Sequence, residues 1–246
     1  MIDPAPLANT QVIQRTRIKI CGLTRESDVD VAVAAGVDAI GFVLYRASPR
    51  CVTVERAVSL AGRLPPLVTS VLLFVNASAA EVETACARVK PAIIQFHGDE
   101  SAATCMAIAA RTGCAFWRAA RIPSHEAQRF DLLEFAEQHR AAQALLLDAQ
   151  VDGYGGGGKT FDWSRLPTNV PAHLVLSGGL TPANVSAGLS ALRGCGRSLA
   201  VDVSSGVEAD GPGGTPLKGI KDADKIMRFV AAVRASDAPF AGHPSP

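Results

Sequence analysis

Two residues of this chain are well placed to move protons, and each ends an apolar run. Lys19 and Cys21 stand two apart in Arg-Ile-Lys-Ile-Cys, so in a strand their side chains share one face. A cysteine at such an end can act as a base once it is a thiolate. Neighbouring positive charge, with Lys19 the nearest source, is expected to lower its pKa. Taken alone, Cys21 better suits a small buried hydrophobe. Asp148 ends Leu-Leu-Leu-Asp, where a carboxyl at the end of a buried strand is costly unless paired or functional. A desolvated carboxyl holds its proton more readily, which suits a general acid; a structural cap on the following turn is the alternative. A Schiff-base role for Lys19 is a further, weaker alternative.

Three glycine-bearing turns could hold an anion. They are Gly153-Tyr154-Gly155-Gly156-Gly157-Gly158, Ser177-Gly178-Gly179 and Ser204-Ser205-Gly206, the last preceded by Asp202-Val203. Glycine lets backbone N–H groups approach a ligand closely, and successive N–H groups form an anion nest. Gly153 to Thr160 also fits the nucleotide-binding expression G-x-x-x-x-G-K-[ST]. That expression requires a substantial helix after Lys159-Thr160, and Pro167 leaves room for two turns at most.

The elements that must position these groups are β-rich runs alternating with amphipathic stretches. Strands are expected at 17–21, 39–44, 70–75, 92–95, 115–119, 144–148, 173–177 and 198–203. Helices are expected at 27–35 (with Ser27 as cap), 54–63, 79–89, 101–112, 126–139, 182–192 and 222–235. Eight strands, each followed by a helix-like connection and with no linker between, predict a single (β/α)₈ TIM barrel over 17–235, with an open doubly wound sheet as the alternative. Residues 1–16 and 236–246 are expected to be loose termini. In such barrels strand ends and the following loops carry function, and phosphate commonly sits after strands 7 and 8.

The chain of 246 residues, 48% hydrophobic and 19% charged, can fill a large core. A formal net charge of +1 gives no footprint for nucleic acid or an anionic membrane. Six scattered cysteines form neither a zinc pattern nor a disulfide framework, and the expected compartment is the cytoplasm. No metal or cofactor is called for; a monomer or homodimer is expected.

From Arg17 to Arg234 the chain resembles the phosphoribosylanthranilate isomerases of tryptophan biosynthesis. The resemblance rests on ordered motifs: Lys-Ile-Cys-Gly-Leu-Thr at 19–24, Gly-Phe-Val-Leu at 41–44 with Ser-Pro-Arg at 48–50, and Gln-Phe-His-Gly-Asp-Glu at 95–100. Leu-Leu-Asp at 146–148, Lys-Thr-Phe-Asp-Trp at 159–163, Ser-Gly-Gly-Leu at 177–180, Asp-Val-Ser-Ser-Gly-Val-Glu at 202–208 and Lys-Asp at 221–222 complete them. The resemblance implies a (β/α)₈ barrel and an Amadori rearrangement of a phosphorylated sugar–anthranilate conjugate. It implies Cys21 as catalytic base, Asp148 as catalytic acid and Arg50 beside the anthranilate carboxylate. It also implies phosphate contacts from the loops bearing Gly156, Gly158, Ser177, Gly178, Gly179, Asp202, Ser204, Ser205 and Gly206. Gln95 and His97 are placed near the mouth, where His97 suits substrate contact and structural hydrogen bonding equally. The chain departs from the family at Gly157, Phe96 and Ser177, none of which removes a catalytic group. A phosphometabolite-sensing barrel without catalysis is the remaining rival, and the joint presence of Cys21 and Asp148 argues against it.

Overall fold

Alternate residues of the apolar runs have different fates. One parity (Ile18, Ile20, Ile40, Phe42, Leu72, Phe74, Ile94, Phe96, Leu145, Leu147, Leu174 and Leu176) joins the large core between strands and helices. The other parity forms small separate clusters, such as Ala39, Val71 and Ile93 beside Trp117, and Ala119, Ala144, Leu146 and Val175. Two-sided burial of this kind is what parallel strands covered by helices require.

The computed structural model describes residues 15–123, 130–150, 154 and 160–237. Its strands are β1 (Arg17–Cys21), β2 (Ala39–Val43), β3 (Thr69–Phe74), β4 (Ile93–Phe96), β5 (Ala115–Ile122), β6 (Ala144–Ala149), β7 (Val170–Leu176) and β8 (Gly196–Val203). All pair in parallel with their neighbours, and β8 pairs back onto β1 to close the barrel, setting Arg17 against Ala200 and Lys19 against Asp202. The helices are α1 (Glu26–Ala34), α2 (Val54–Ala61), α3 (Ala79–Val89), α4 (Ala102–Thr112), α5 (Leu132–Gln138), α6 (Val185–Leu192) and α7 (Ala223–Asp237). The expected (β/α)₈ barrel is therefore the observed one, and the open sheet is excluded.

Local chemistry explains most helix starts. Thr53, Ser101 and Asp131 cap α2, α4 and α5, and Ser78 with Glu81 forms a capping box on α3. Ser27 is not the cap it was expected to be: α1 starts one residue before it, after an uncapped Arg25. The helix expected from Glu126 begins at Leu132; residues 124–129 lie outside the described ones. Among the described residues between β6 and β7 the helical element is a three-residue 3₁₀ turn, Trp163–Arg165. A second departure follows β8, where β9 (Glu208–Asp210) and β10 (Pro216–Lys221) form an antiparallel pair that the sequence reading missed.

One packing detail sets an acid limit on stability. His139, at the end of α5, is 7% exposed, lies 4.4 Å centroid to centroid from Phe135, and its Nδ1 has no partner among the described residues. Burial, with help from the Arg118 charge, pushes its pKa down to about 4. The unfolded chain accepts that proton near pH 6.5, so His139's contribution is complete above about 6.5 and is lost as pH falls towards 4. The loss amounts to up to about 3 kcal/mol. Urea unfolding of His139→Gln should show a shallower loss of stability over that window than wild type; parallel curves would contradict this account.

Candidate active site

The interior parity of the strands brings the chemical residues to one end of the barrel. Cys21 ends β1 with 4% of its surface exposed, and packs with Val43, Leu73 and Val75 beneath Tyr45 and Tyr154. Lys19 lies one layer deeper. Its Nζ donates to Asp202 Oδ1 at 2.8 Å, a fully buried pair bridging the seam between β1 and β8. Ser177 Oγ donates to the other oxygen of Asp202 at 3.4 Å. Asp202 is thus the counter-ion of Lys19, a pairing that strand parity did not reveal.

That pairing changes the electrostatics expected for Cys21. Burial pushes its thiol up from the ordinary value, and Lys19 and Lys221 only partly oppose this because Asp202 adds a negative charge. The expectation of a thiol lowered by Lys19 is therefore corrected: desolvation wins. Burial also works against the charge on Lys19, but Asp202 and Cys21 outweigh it and its pKa is raised.

Space for the thiol is made by Gly41 on β2. A Cβ there would lie 2.8 Å from Cys21 Sγ and 3.0 Å from Lys19 Nζ, both too close. Because both side chains are buried, they have little room to yield. Gly41→Ala is expected to cost about 1–3 kcal/mol of stability. A thermal melt checks this; an unchanged melting temperature would show that the site tolerates the shift.

Asp148, on β6, is buried and tied to β4. His97 Nε2 lies 2.9 Å from Asp148 Oδ2, and Gln95 Nε2 donates to His97 Nδ1 at 3.0 Å. With Nδ1 accepting, the ring carries its proton on Nε2 and donates to Asp148. Of the two readings of His97, its described contacts are these hydrogen bonds. Gln95 Oε1 is buried without a partner among the described residues.

The glycine turns after β7 and β8 meet. Gly178 and Gly179 have φ of +78° and +62°, and a Cβ on Gly178 would lie 2.8 Å from Asp148 Oδ1. A Cβ on Gly206 would lie 1.9 Å from Leu180 O, so that turn fits against the neighbouring one only as glycine. Ser205 and Gly206 open a short 3₁₀ turn, and Ser204 Oγ donates to Cys21 O at 3.0 Å. Gly156 and Gly158 lie outside the described residues. Tyr154, from the same loop, is described: its hydroxyl donates to Asp99 and accepts from Asn76 Nδ2 at 3.0 Å, and Arg121 stacks 4.7 Å from its ring centroid. The 3₁₀ turn that follows Thr160 and Phe161 cannot serve as the helix a nucleotide-binding loop needs, which removes that rival.

Arg50 is buried, and Glu208, which sequence reasoning assigned no role, takes two of its nitrogens: Nε at 2.6 Å and Nη2 at 2.8 Å. Lys221 Nζ donates to Ser204 O at 2.8 Å and reaches Glu208 Oε1 at 3.4 Å. Both residues lay within quoted motifs, but nothing local linked them to Arg50. No group of three or more His, Cys, Asp or Glu able to hold a metal occurs among the described residues.

Comparison with known proteins places the chain in one family. The family model described as N-(5'phosphoribosyl)anthranilate (PRA) isomerase matches residues 18–232. A curated relative named N-(5'-phosphoribosyl)anthranilate isomerase, from Methylibium petroleiphilum, is 57% identical over 224 residues, covering 91% of this chain and 96% of its own length. Its namesake from Leptothrix cholodnii is 56% identical over 224 residues, covering 91% and 93%. The crystal structure of phosphoribosyl anthranilate isomerase from Thermotoga maritima superposes with a TM-score of 0.75 at 37% identity, over 89% of this chain and 99% of that one. A structure of such an isomerase in complex with reduced 1-(o-carboxyphenylamino)-1-deoxyribulose 5-phosphate gives a TM-score of 0.71 at 34% identity, with the same coverage.

Proposed function

The chain belongs to the N-(5'-phosphoribosyl)anthranilate isomerase family, and from that premise we infer that Cys21 and Asp148 are its catalytic base and acid. The enzyme catalyses the Amadori rearrangement of N-(5-phosphoribosyl)anthranilate to 1-(2-carboxyphenylamino)-1-deoxyribulose 5-phosphate, a step of L-tryptophan biosynthesis. The observation that carries the residue assignment is the placement of a buried thiol and a buried carboxyl at the same end of β1 and β6. These strands are separated by β7 and β8 on one side of the barrel and by β2 to β5 on the other.

In the proposed mechanism Asp148 gives its proton to the ribose ring oxygen. The C1–O bond breaks, and the nitrogen lone pair forms the C1=N iminium. Cys21 thiolate then removes the C2 proton, and the C–H electrons form the C1=C2 bond of an enolamine. Loss of the enol proton and protonation of C1 give the ketone. The iminium cation forms beside C2, so positive charge arrives next to the thiol at the step that needs a thiolate. This offsets the burial that raises the Cys21 thiol. Rotation of the Gln95 amide lets Oε1 accept from His97 Nδ1–H, which frees His97 Nε2 to accept from a protonated Asp148.

The turns at Ser177–Gly179 and Ser204–Gly206 would hold the phosphate, whose remote binding energy keeps C2 in place. Asp202 contributes through Lys19 in this reading, since its oxygens are occupied by Lys19 and Ser177. Arg50 would meet the anthranilate carboxylate. Six free cysteines support a reducing, cytoplasmic compartment. Decay of the anthranilate fluorescence on adding the enzyme to substrate tests the reading: turnover must be present in wild type and must depend on both Cys21 and Asp148.

A further inference from the structure

The Arg50 guanidinium does not reach the mouth as a free side chain. Its stem passes so close to Gly22, the residue after Cys21, that a Cβ on that glycine would lie 2.7 Å from Arg50 Cδ. Its Nε edge is then gripped by both oxygens of Glu208, which is 1% exposed. Glu208 Oε1 also accepts from Gly219 N at 2.8 Å and faces Lys221 Nζ at 3.4 Å. The carboxylate that grips Arg50 is therefore itself fixed by the β9–β10 pair. A guanidinium held by its Nε–Nη2 edge keeps a second planar fork at its Nη1–Nη2 end, suited to another carboxylate.

We propose that Glu208 is a positioning residue that aims Arg50 at the aryl carboxylate of the substrate, with Lys221 keeping the three-residue cluster at a net charge of +1. The inference rests on the reading of Arg50 as the group that meets that carboxylate. Burial works to raise the Glu208 carboxyl, but its contacts with Arg50, Lys221 and Gly219 outweigh burial and hold it below the usual range. Burial pushes Lys221 down to about 8, with Glu208 opposing, so it is mostly charged at neutral pH.

Charge and positioning predict opposite signs. Removing an acidic group beside an anion site would tighten anion binding by charge alone, whereas loss of positioning weakens it. Glu208→Gln should raise KM for the natural substrate roughly tenfold to a hundredfold, with a smaller change in kcat. It should leave KM almost unchanged for the phosphoribosyl-aniline analogue, which lacks the carboxylate. In an Arg50→Met background Glu208→Gln should add no further carboxylate-specific loss. The double variant Glu208→Gln/Lys221→Met restores the net charge of +1 and should still show the raised KM. Glu208→Asp, which retains the charge at shorter reach, gives the same selective effect if the glutamine variant does not fold. Equal KM changes for both substrates, or tighter binding of the carboxylated one, would overturn the proposal. If Arg50→Met failed to discriminate between the substrates, the reading of Arg50 itself would fall. Discrimination by Arg50→Met but not by the Glu208 variants would remove Glu208 alone.

Discussion

Cys21→Ser is expected to lower kcat by roughly 10²- to 10⁴-fold, the usual contribution of a positioned general base. Serine nearly matches cysteine in size, so the packing with Val43, Leu73 and Val75 is retained and folding should be little affected. What is lost is a group that can ionise in this setting. Because burial holds the thiol above its ordinary value of 9.0, against Lys19 and Lys221 and with Asp202, little thiolate is present in the free enzyme at neutral pH. Wild-type kcat/KM should follow the product of the thiolate fraction, which grows with pH, and the protonated fraction of Asp148, which falls, so any rise with pH in its profile is the Cys21 contribution. The serine variant should lack that rise. Fluorescence assays across pH on both proteins measure the two effects together. Wild-type turnover in Cys21→Ser would return the cysteine to the role of a small core residue.

Asp148→Asn should be comparably damaging, again roughly 10²- to 10⁴-fold in kcat with KM little changed. The amide keeps the shape of the carboxyl and an oxygen for the 2.9 Å contact from His97 Nε2, but it cannot deliver a proton to the ring oxygen. A merely structural aspartate would behave differently. Its loss would disturb the adjoining turn, where Gly178 approaches Asp148 so closely that a Cβ would lie 2.8 Å from Oδ1. A lowered melting temperature with intact kcat would then be seen, and that result would remove Asp148 from the chemistry.

Much of this site was legible in the chain. Cys21 ends β1 and Asp148 is next to last in β6, close to where the apolar runs placed them, and the glycine turns follow β7 and β8. Gln95, in β4, and His97, just past its end, form a single chain to Asp148. Strand parity is local: a side chain faces the barrel interior or the helices according to its place in a two-residue alternation, which sequence displays directly. Boundaries were less legible where a competing local signal was absent, as at Arg25, which starts α1 without a side-chain cap.

Sequence alone therefore determined the barrel, the identity of its strand-end residues and the end at which they gather. Tertiary structure decided their electrical state and their aim. Lys19 meets Asp202 across 183 residues because β8 closes onto β1, and the pairing leaves desolvation to raise the Cys21 thiol. Arg50 meets Glu208 across 158 residues because the β9–β10 pair places it there. Neither contact follows from spacing along a strand or helix. Burial and long-range charge pairing depend on barrel closure and loop packing, and these set whether a cysteine is a thiol or a thiolate and where an arginine points.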